Sequence, residues 1–77
     1  GRLRFESDAP LFNIDPADYH ATFDLHGEEY RLVGFNLRAR KNALLIESTS
    51  NNKQYSLDPV TYLKIKGMKK LMETAAA

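Results

Sequence analysis

The sequence predicts a small, mainly β domain: an antiparallel SH3-like barrel, or a strongly bent sheet of four or five strands, with a short C-terminal helix. Three observations support this prediction. Apolar and polar residues alternate along 19–25, turn-forming segments interrupt the chain between 26 and 53, and an Asp-Pro pair precedes the C-terminal segment. Alternation with a period of two places side chains on opposite faces of a strand, and turn residues between such runs indicate hairpins. The SH3-like assignment is an analogy from element order.

The length of 77 residues corresponds to one small domain. We divide it into an N-terminal extension that caps the core (1–18), a β-meander (19–66) and a C-terminal helix or tail (67–77). The chain has no cysteine, which excludes disulfides and thiolate metal sites and favours an intracellular location, cytoplasmic or nuclear. No apolar run approaches the roughly 20 residues that span a bilayer, so we expect no membrane partner.

The N-terminal extension is predicted to contain one strand and one helical turn. Arg2 to Phe5 is interpreted as a short edge strand that Asp8-Ala-Pro10 ends. Residues 15–18 (Asp-Pro-Ala-Asp) predict a helical turn, because Asp15 suits the N-cap and Pro16 suits the first helical position. The apolar residues expected to cap one end of the core are Leu11, Phe12 and Ile14.

The first predicted hairpin joins a strand at 19–25 to a strand at 30–37. His26-Gly27 supplies the reversal, since glycine readily takes positive φ. In the second strand the apolar residues change parity at Val33-Gly34. A β-bulge at a glycine produces such a switch and lets a short sheet bend.

Two further strands are predicted at 43–49 and 54–57. The basic segment 38–42 forms the reversal before them, and 50–53 (Ser-Asn-Asn-Lys) forms the tight turn between them, since asparagine tolerates left-handed φ. The residues expected to face the core are Leu44, Ile46, Tyr55 and Leu57.

The C-terminal segment allows two interpretations. Asp58-Pro59 can start a single helix. Alternatively, residues 62–66 alternate at strand period and form a fifth strand before a short helix at 68–74. An internal repeat of the pattern apolar-Asp-Pro-x-x-Tyr, at 14–19 and 57–62, favours the second, because the first copy runs into a strand. The stripe that a single helix would present contains Val60, Leu63, Gly67, Met68 and Leu71.

The stretch from Asp15 to Phe35 also resembles the β-barrel region that follows the catalytic core in some Mu-type transposases. There an Asp-Pro-x-Asp turn leads into a strand and a glycine-containing hairpin. The resemblance covers about a quarter of the chain and includes no rare residue type. The fold prediction does not depend on it.

No motif for catalysis or cofactor binding is present, so we predict no enzyme activity, no metal and no cofactor. His20, Asp24 and His26 would share one strand face, but the two histidines would lie about 20 Å apart, too far for one ion. None of the serines stands in a Gly-x-Ser-x-Gly elbow. The adjacent carboxylates Glu28 and Glu29 lie in a predicted turn, so we expect them to be solvated.

The basic residues of the second half supply the leading functional hypothesis. Residues 1–29 hold two basic and seven acidic residues, whereas residues 30–77 hold nine basic and three acidic residues. Such a split indicates either an anionic partner or two parts of the fold that neutralise each other. We predict a non-catalytic module that binds nucleic-acid phosphates, DNA or RNA. The predicted contacts are Arg38, Arg40, Lys41, Lys53, Lys64, Lys66, Lys69 and Lys70.

This hypothesis makes two geometric demands. The second and fourth reversals can lie near one another in a small barrel, which would merge the basic residues into one positive surface. Phe35 and Tyr62 flank these positions and would stack on bases if they were exposed.

A protein–protein interaction or oligomerisation domain is the alternative. The N- and C-terminal segments carry more apolar residues than a four-stranded core readily covers, and methionines adapt to partner surfaces. These segments would therefore bind a protein partner or a second copy of the chain, unless they fold back over the core. The residues of this alternative interface are Leu11, Phe12, Met68, Leu71 and Met72.

Overall fold

A computed structural model describes residues 1–76 of the chain; Ala77, assigned above to the C-terminal helix or tail, lies outside the described residues. The strands form one antiparallel sheet, and the helical segments contribute to a core on one of its faces. In chain order the elements are α1 (Arg2–Asp8), two 3₁₀ turns (Ala9–Phe12 and Pro16–Asp18), β1 (Thr22–Leu25), β2 (Glu28–Phe35), β3 (Leu44–Ser48), β4 (Gln54–Leu57) and α2 (Pro59–Ala76).

The sheet is open rather than closed into a barrel. Its strand order is β1-β2-β3-β4, so each strand pairs only with its neighbours in sequence and β1 and β4 form the edges. The predicted four-stranded antiparallel sheet is confirmed, but the SH3-like barrel is not. Strands account for 28% of the chain and helices for 41%, so the protein is not mainly β. The barrel stays open because the segment that would supply a closing fifth strand is helical.

The C-terminal segment is one helix from Pro59, so the predicted strand at 62–66 is wrong and the meander ends at Leu57. Two local features favour the helix. The Asp58 carboxylate accepts a hydrogen bond of 2.9 Å from the Val60 amide and caps the first turn. In addition, helical spacing brings Tyr62 into the core. The apolar stripe predicted for this helix does not form its buried face, since Val60 is largely exposed.

The N-terminal segment is also helical, which corrects the edge strand predicted at Arg2 to Phe5. Alternation of Arg and apolar residues matched strand period, but one set of apolar residues recurs at helical spacing. A helix places them together against the sheet, so more apolar surface is buried than a strand would cover. These residues are Phe5, Ala9 and Phe12.

The predicted bulge in β2 is confirmed. The pairing of β2 with β3 shifts register between Leu32 and Gly34, which leaves Val33 without an opposite residue. Because of this extra residue, both Leu32 and Phe35 face the core although an odd number of positions separates them. The Phe35 ring packs at 5.0 Å from the Phe5 ring.

Two of the predicted reversals have the expected backbone geometry. His26 and Gly27 both have positive φ, 51° and 80°, as a two-residue hairpin turn requires. Asn52, with φ of 60°, occupies the left-handed position in the turn before β4. His20 also has positive φ and lies before β1, so it does not share a strand face with Asp24.

Eight apolar and aromatic side chains from both helices, the turns and three of the strands form the buried core. In the β3–β4 hairpin the predicted inward residues Leu44 and Ile46 are buried and Leu57 packs against them. Tyr55, in contrast, is 43% exposed; it lies on an edge strand, and its ring packs edge-on against that of Tyr30. The core cluster consists of Phe5, Ala9, Ile14, Phe23, Leu32, Leu44, Ile46 and Tyr62.

Candidate functional site

The two Asp-Pro motifs meet in the folded chain and fix the position of α2. Asp15 caps the 3₁₀ turn before β1 through a 2.9 Å hydrogen bond from the Ala17 amide. Asp18, the last residue of that turn, accepts hydrogen bonds from Tyr62 Oη and Lys66 Nζ, both at 2.7 Å. Burial, together with the hydrogen bond to Asp18, raises the pKa of the Tyr62 phenol above its ordinary value. The first two turns of α2 are therefore attached to the 3₁₀ turn that precedes β1.

The reversal between β2 and β3 brings Arg40 and Lys41 to the start of α2. Both side chains line a concavity of about 350 Å³ with Asp58 and Val60. The reversal between β2 and β3 therefore lies beside the first turn of α2. The loop is shaped by Asn36, whose side-chain oxygen accepts a hydrogen bond of 3.1 Å from the Arg38 amide.

Lys64 extends this group of cations along α2. It follows Val60 by one helical turn, and residues four apart share a helix face. Since Val60 lines the concavity with Arg40 and Lys41, Lys64 continues on the solvent side of the same surface. We define the basic surface as the set of exposed residues Arg38, Arg40, Lys41 and Lys64.

Lys53 is separated from the basic surface. In an antiparallel meander successive reversals alternate between the two ends of the sheet, so the β3–β4 turn lies beside the β1–β2 turn. The hydrogen bond from the Thr49 amide to the Glu29 carbonyl, 3.1 Å long, shows this adjacency. Lys53 is exposed but lies at the end of the sheet where Glu28 and Glu29 begin β2, away from Arg40.

The remaining predicted lysines lie on the other side of α2. Lys66, Lys69 and Lys70 line a groove of about 980 Å³ between α2 and β1. Lys66 is neutralised there by Asp18, with Nζ and Oδ2 2.7 Å apart. Lys69 and Lys70 are exposed and form no ion pair within the described residues.

Internal neutralisation accounts for little of the charge split. Within residues 1–76 three ion pairs form: Arg4 with Asp8, Arg31 with Glu47, and Lys66 with Asp18. The last of these is the pair that links the acidic first part to the basic second part. Most of the cations after residue 30 are therefore available to an external anion.

The two aromatic residues considered for base stacking belong to the core. Tyr62 is 3% exposed and packs edge-on against Phe23, with ring centroids 5.2 Å apart. Phe35 is partly buried and stacks on Phe12 at 5.0 Å. Neither ring is free to stack on a base, so the basic surface offers charge and hydrogen-bond donors alone.

Four of the five residues of the alternative protein interface are exposed. Leu11 has 69% of its surface accessible, and Met68, Leu71 and Met72 are exposed to a similar extent. Phe12 differs, because its ring is held against Phe35. The N-terminal segment folds onto the sheet, whereas the apolar residues of the second half of α2 remain uncovered.

Sequence reasoning overlooked two polar clusters. One consists of Asp18, Tyr62 and Lys66. The repeated Asp-Pro-x-x-Tyr pattern was visible in the sequence, but it did not show that its two copies are in contact. The other is centred on buried Ser48, whose hydroxyl donates a 3.1 Å hydrogen bond to Glu28. Tyr30 donates to the second oxygen of the same carboxylate, and burial with this hydrogen bond raises its pKa. This cluster holds the β1–β2 turn against the β3–β4 turn. We therefore assign it a structural role.

Two other features are absent from the part of the chain that the structure describes. No group of three His, Asp or Glu side chains is placed to hold a metal ion within residues 1–76. In the same range, no helix combines the length and apolarity needed to cross a membrane. Comparison of the sequence with protein-family models and curated proteins, and of the structure with solved structures, found no match.

Proposed function

We propose that the protein is a non-catalytic binding module that contacts nucleic-acid phosphates through the basic surface. The supporting observation is the concentration of Arg40 and Lys41 at the start of α2, continued by Lys64 and free of carboxylate ion pairs within residues 1–76. Asp58 is the one acidic residue that lines the same concavity, and its carboxylate is engaged by the Val60 amide.

This surface favours binding without sequence preference. Sequence is read by groups that reach base edges or stack on bases, whereas Lys and Arg on phosphates fix position alone. Because Phe35 and Tyr62 are in the core, base stacking adds nothing to affinity here. We therefore expect similar affinities for different sequences of one nucleic acid and a steep loss of affinity with salt.

A gel shift with duplex and single-stranded DNA and RNA, at two salt concentrations, tests the proposal. The triple variant Arg38→Ala, Arg40→Ala, Lys41→Ala removes three of the four cations without touching the core. We expect the logarithm of the binding constant to lose about three units of its slope against the logarithm of salt concentration. Unchanged affinity and slope in this variant would refute the role of the basic surface.

Lys53→Ala is the matched control. It also removes an exposed loop cation, but one that lies at the opposite end of the sheet. We expect at most a small loss of affinity from long-range attraction. An equal loss from Lys53→Ala and from each single substitution in the basic surface would indicate general charge attraction instead of a defined site.

A second candidate function is protein binding through the apolar residues of α2. It is favoured by the exposure of Met68, Leu71 and Met72, which lie within five positions on a helix that is covered only at its start. Binding of this kind would change little with salt, because apolar contacts are not screened. Salt dependence therefore separates the two candidates.

A further inference from the structure

Within residues 1–76, the backbone groups on the outer edge of β1 have no strand partner. In the β1–β2 hairpin Leu25 and Glu28 flank a two-residue turn, and the Leu32 amide donates to the Ala21 carbonyl at 3.1 Å. Ala21, Phe23 and Leu25 therefore point their backbone amide and carbonyl groups at β2. The amide and carbonyl groups of the alternate residues, Thr22 and Asp24, point away from the sheet. A free edge of this kind can pair with another strand.

The groove beside this edge is partly apolar and carries charges of both signs. On the α2 side Met68 and Met72 line it together with Lys69, Lys70 and Glu73. On the strand side its lining includes the acidic residues Asp24 and Glu29. The other free edge, β4, has an exposed Gln54 and Ser56 and does not line this groove.

We propose that a second copy of this chain occupies the groove and pairs its β1 antiparallel with β1 about a twofold axis. Pairing centred on Phe23 places Thr22 of each copy opposite Asp24 of the other, which avoids opposing two carboxylates. The result is a continuous eight-stranded sheet. Both copies of α2 then lie on the same face, where Met68 and Met72 are removed from water.

Charge favours a second copy over an unrelated peptide. An acidic peptide would meet Asp24 and Glu29, and a basic peptide would meet Lys69 and Lys70. A twofold dimer brings the same surface, with charges of both signs, to both sides of the interface, so neither copy meets charges of one sign alone. This inference specifies the partner for the second candidate function and is independent of phosphate binding.

The experiment is sedimentation of the full chain over a range of concentrations, with a proline substitution on each sheet edge. Thr22→Pro removes an amide that points away from β2, so the hairpin keeps its own hydrogen bonds while the outer edge is blocked. Ser56→Pro is the matched control, because its amide points outward from the opposite edge. We expect a wild-type dimer, a dimer for Ser56→Pro and at least a tenfold weaker dimer for Thr22→Pro.

A second variant keeps the test valid if Thr22→Pro fails to fold. Met68→Glu with Met72→Glu changes exposed residues of α2 and should also weaken the dimer at least tenfold. Leu3→Glu, at an exposed apolar position of α1, is its control and should leave the dimer unchanged.

Two outcomes overturn the inference. One is a wild-type chain that stays monomeric at all concentrations. This outcome overturns the inference even if the monomer binds a different protein through the groove. The other is a dimer that the edge and methionine variants leave intact. Gel shifts on the same variants measure phosphate binding independently of dimerisation. A failure of the dimer proposal can therefore be distinguished from a failure of the nucleic-acid proposal.

Discussion

The phenolic hydroxyl of Tyr62 lies 2.7 Å from Oδ2 of Asp18, although 44 positions separate them in the sequence. Tyr62 is buried against Phe23, and Lys66 donates to the same carboxylate from the next turn of α2. One carboxylate therefore determines where α2 crosses β1. The groove and the basic surface lie on either side of this attachment, so their shapes depend on it.

Tyr62→Phe should destabilise the fold by about 1.5 kcal/mol, because a hydrogen bond from a buried group to a charged acceptor is removed while the ring still fills the core. Chemical denaturation followed by far-ultraviolet circular dichroism measures the change. Tyr55→Phe is the control, since Tyr55 is exposed at the sheet edge and its hydroxyl has no hydrogen bond within residues 1–76. Equal stability changes in the two variants would contradict the role of Asp18.

The same contact predicts a loss of stability at alkaline pH. Folding raises the pKa of Tyr62 above the ordinary value of 10.0, so the protonated phenol contributes stability that is complete below that pH. The contribution is lost as pH rises above it, because the unfolded chain releases the proton first. Denaturation midpoints measured between neutral and strongly alkaline pH should fall more steeply for the wild type than for Tyr62→Phe. Parallel curves for the two proteins would show that Tyr62 does not carry the effect.

Local signals in the sequence were sufficient for the hairpins. Gly27 and Asn52 mark turns through their tolerance of positive φ, and the parity switch at Gly34 reports the bulge. These features depend on residues within a few positions of each other. The same is true of Asp15 and Asp58, each of which caps the turn that it begins.

The helices were harder to predict because short apolar patterns fit both periods. Phe5 belongs to a run that alternates like a strand, yet helical spacing lets it pack between Tyr19 and Phe35. Tyr62 likewise belongs to an alternating run, and a partner 44 positions away holds it in a helix. Long-range burial of this kind overrides local period.

The sequence identified only part of the candidate site, because the position of each cation depends on long-range structure. Composition identified exposed cations, but it could not show that Lys53 lies at the other end of the sheet or that Asp18 neutralises Lys66. Both facts depend on strand order, which is a property of the whole sheet.

The cap of α2 provides a further test. Asp58→Ala should cost about 1 kcal/mol, because the first amides of the helix lose their side-chain acceptor, whereas Asp58→Asn should be almost neutral since asparagine caps equally well. Thermal denaturation of the three proteins gives the comparison. If the carboxylate charge mattered more than its hydrogen bond to Val60, the two variants would lose the same stability.

Two glycines should respond in opposite ways to the same substitution. Gly27 has φ of 80°, so an added Cβ is strained there even though it meets no neighbouring atom, and Gly27→Ala should cost about 1 kcal/mol. Gly67 lies within α2 with open space around its Cβ position, so Gly67→Ala should stabilise the helix by about 1 kcal/mol. Chemical denaturation measures both changes, and each variant serves as the other's control. A loss of stability from Gly67→Ala would contradict a continuous helix through this position.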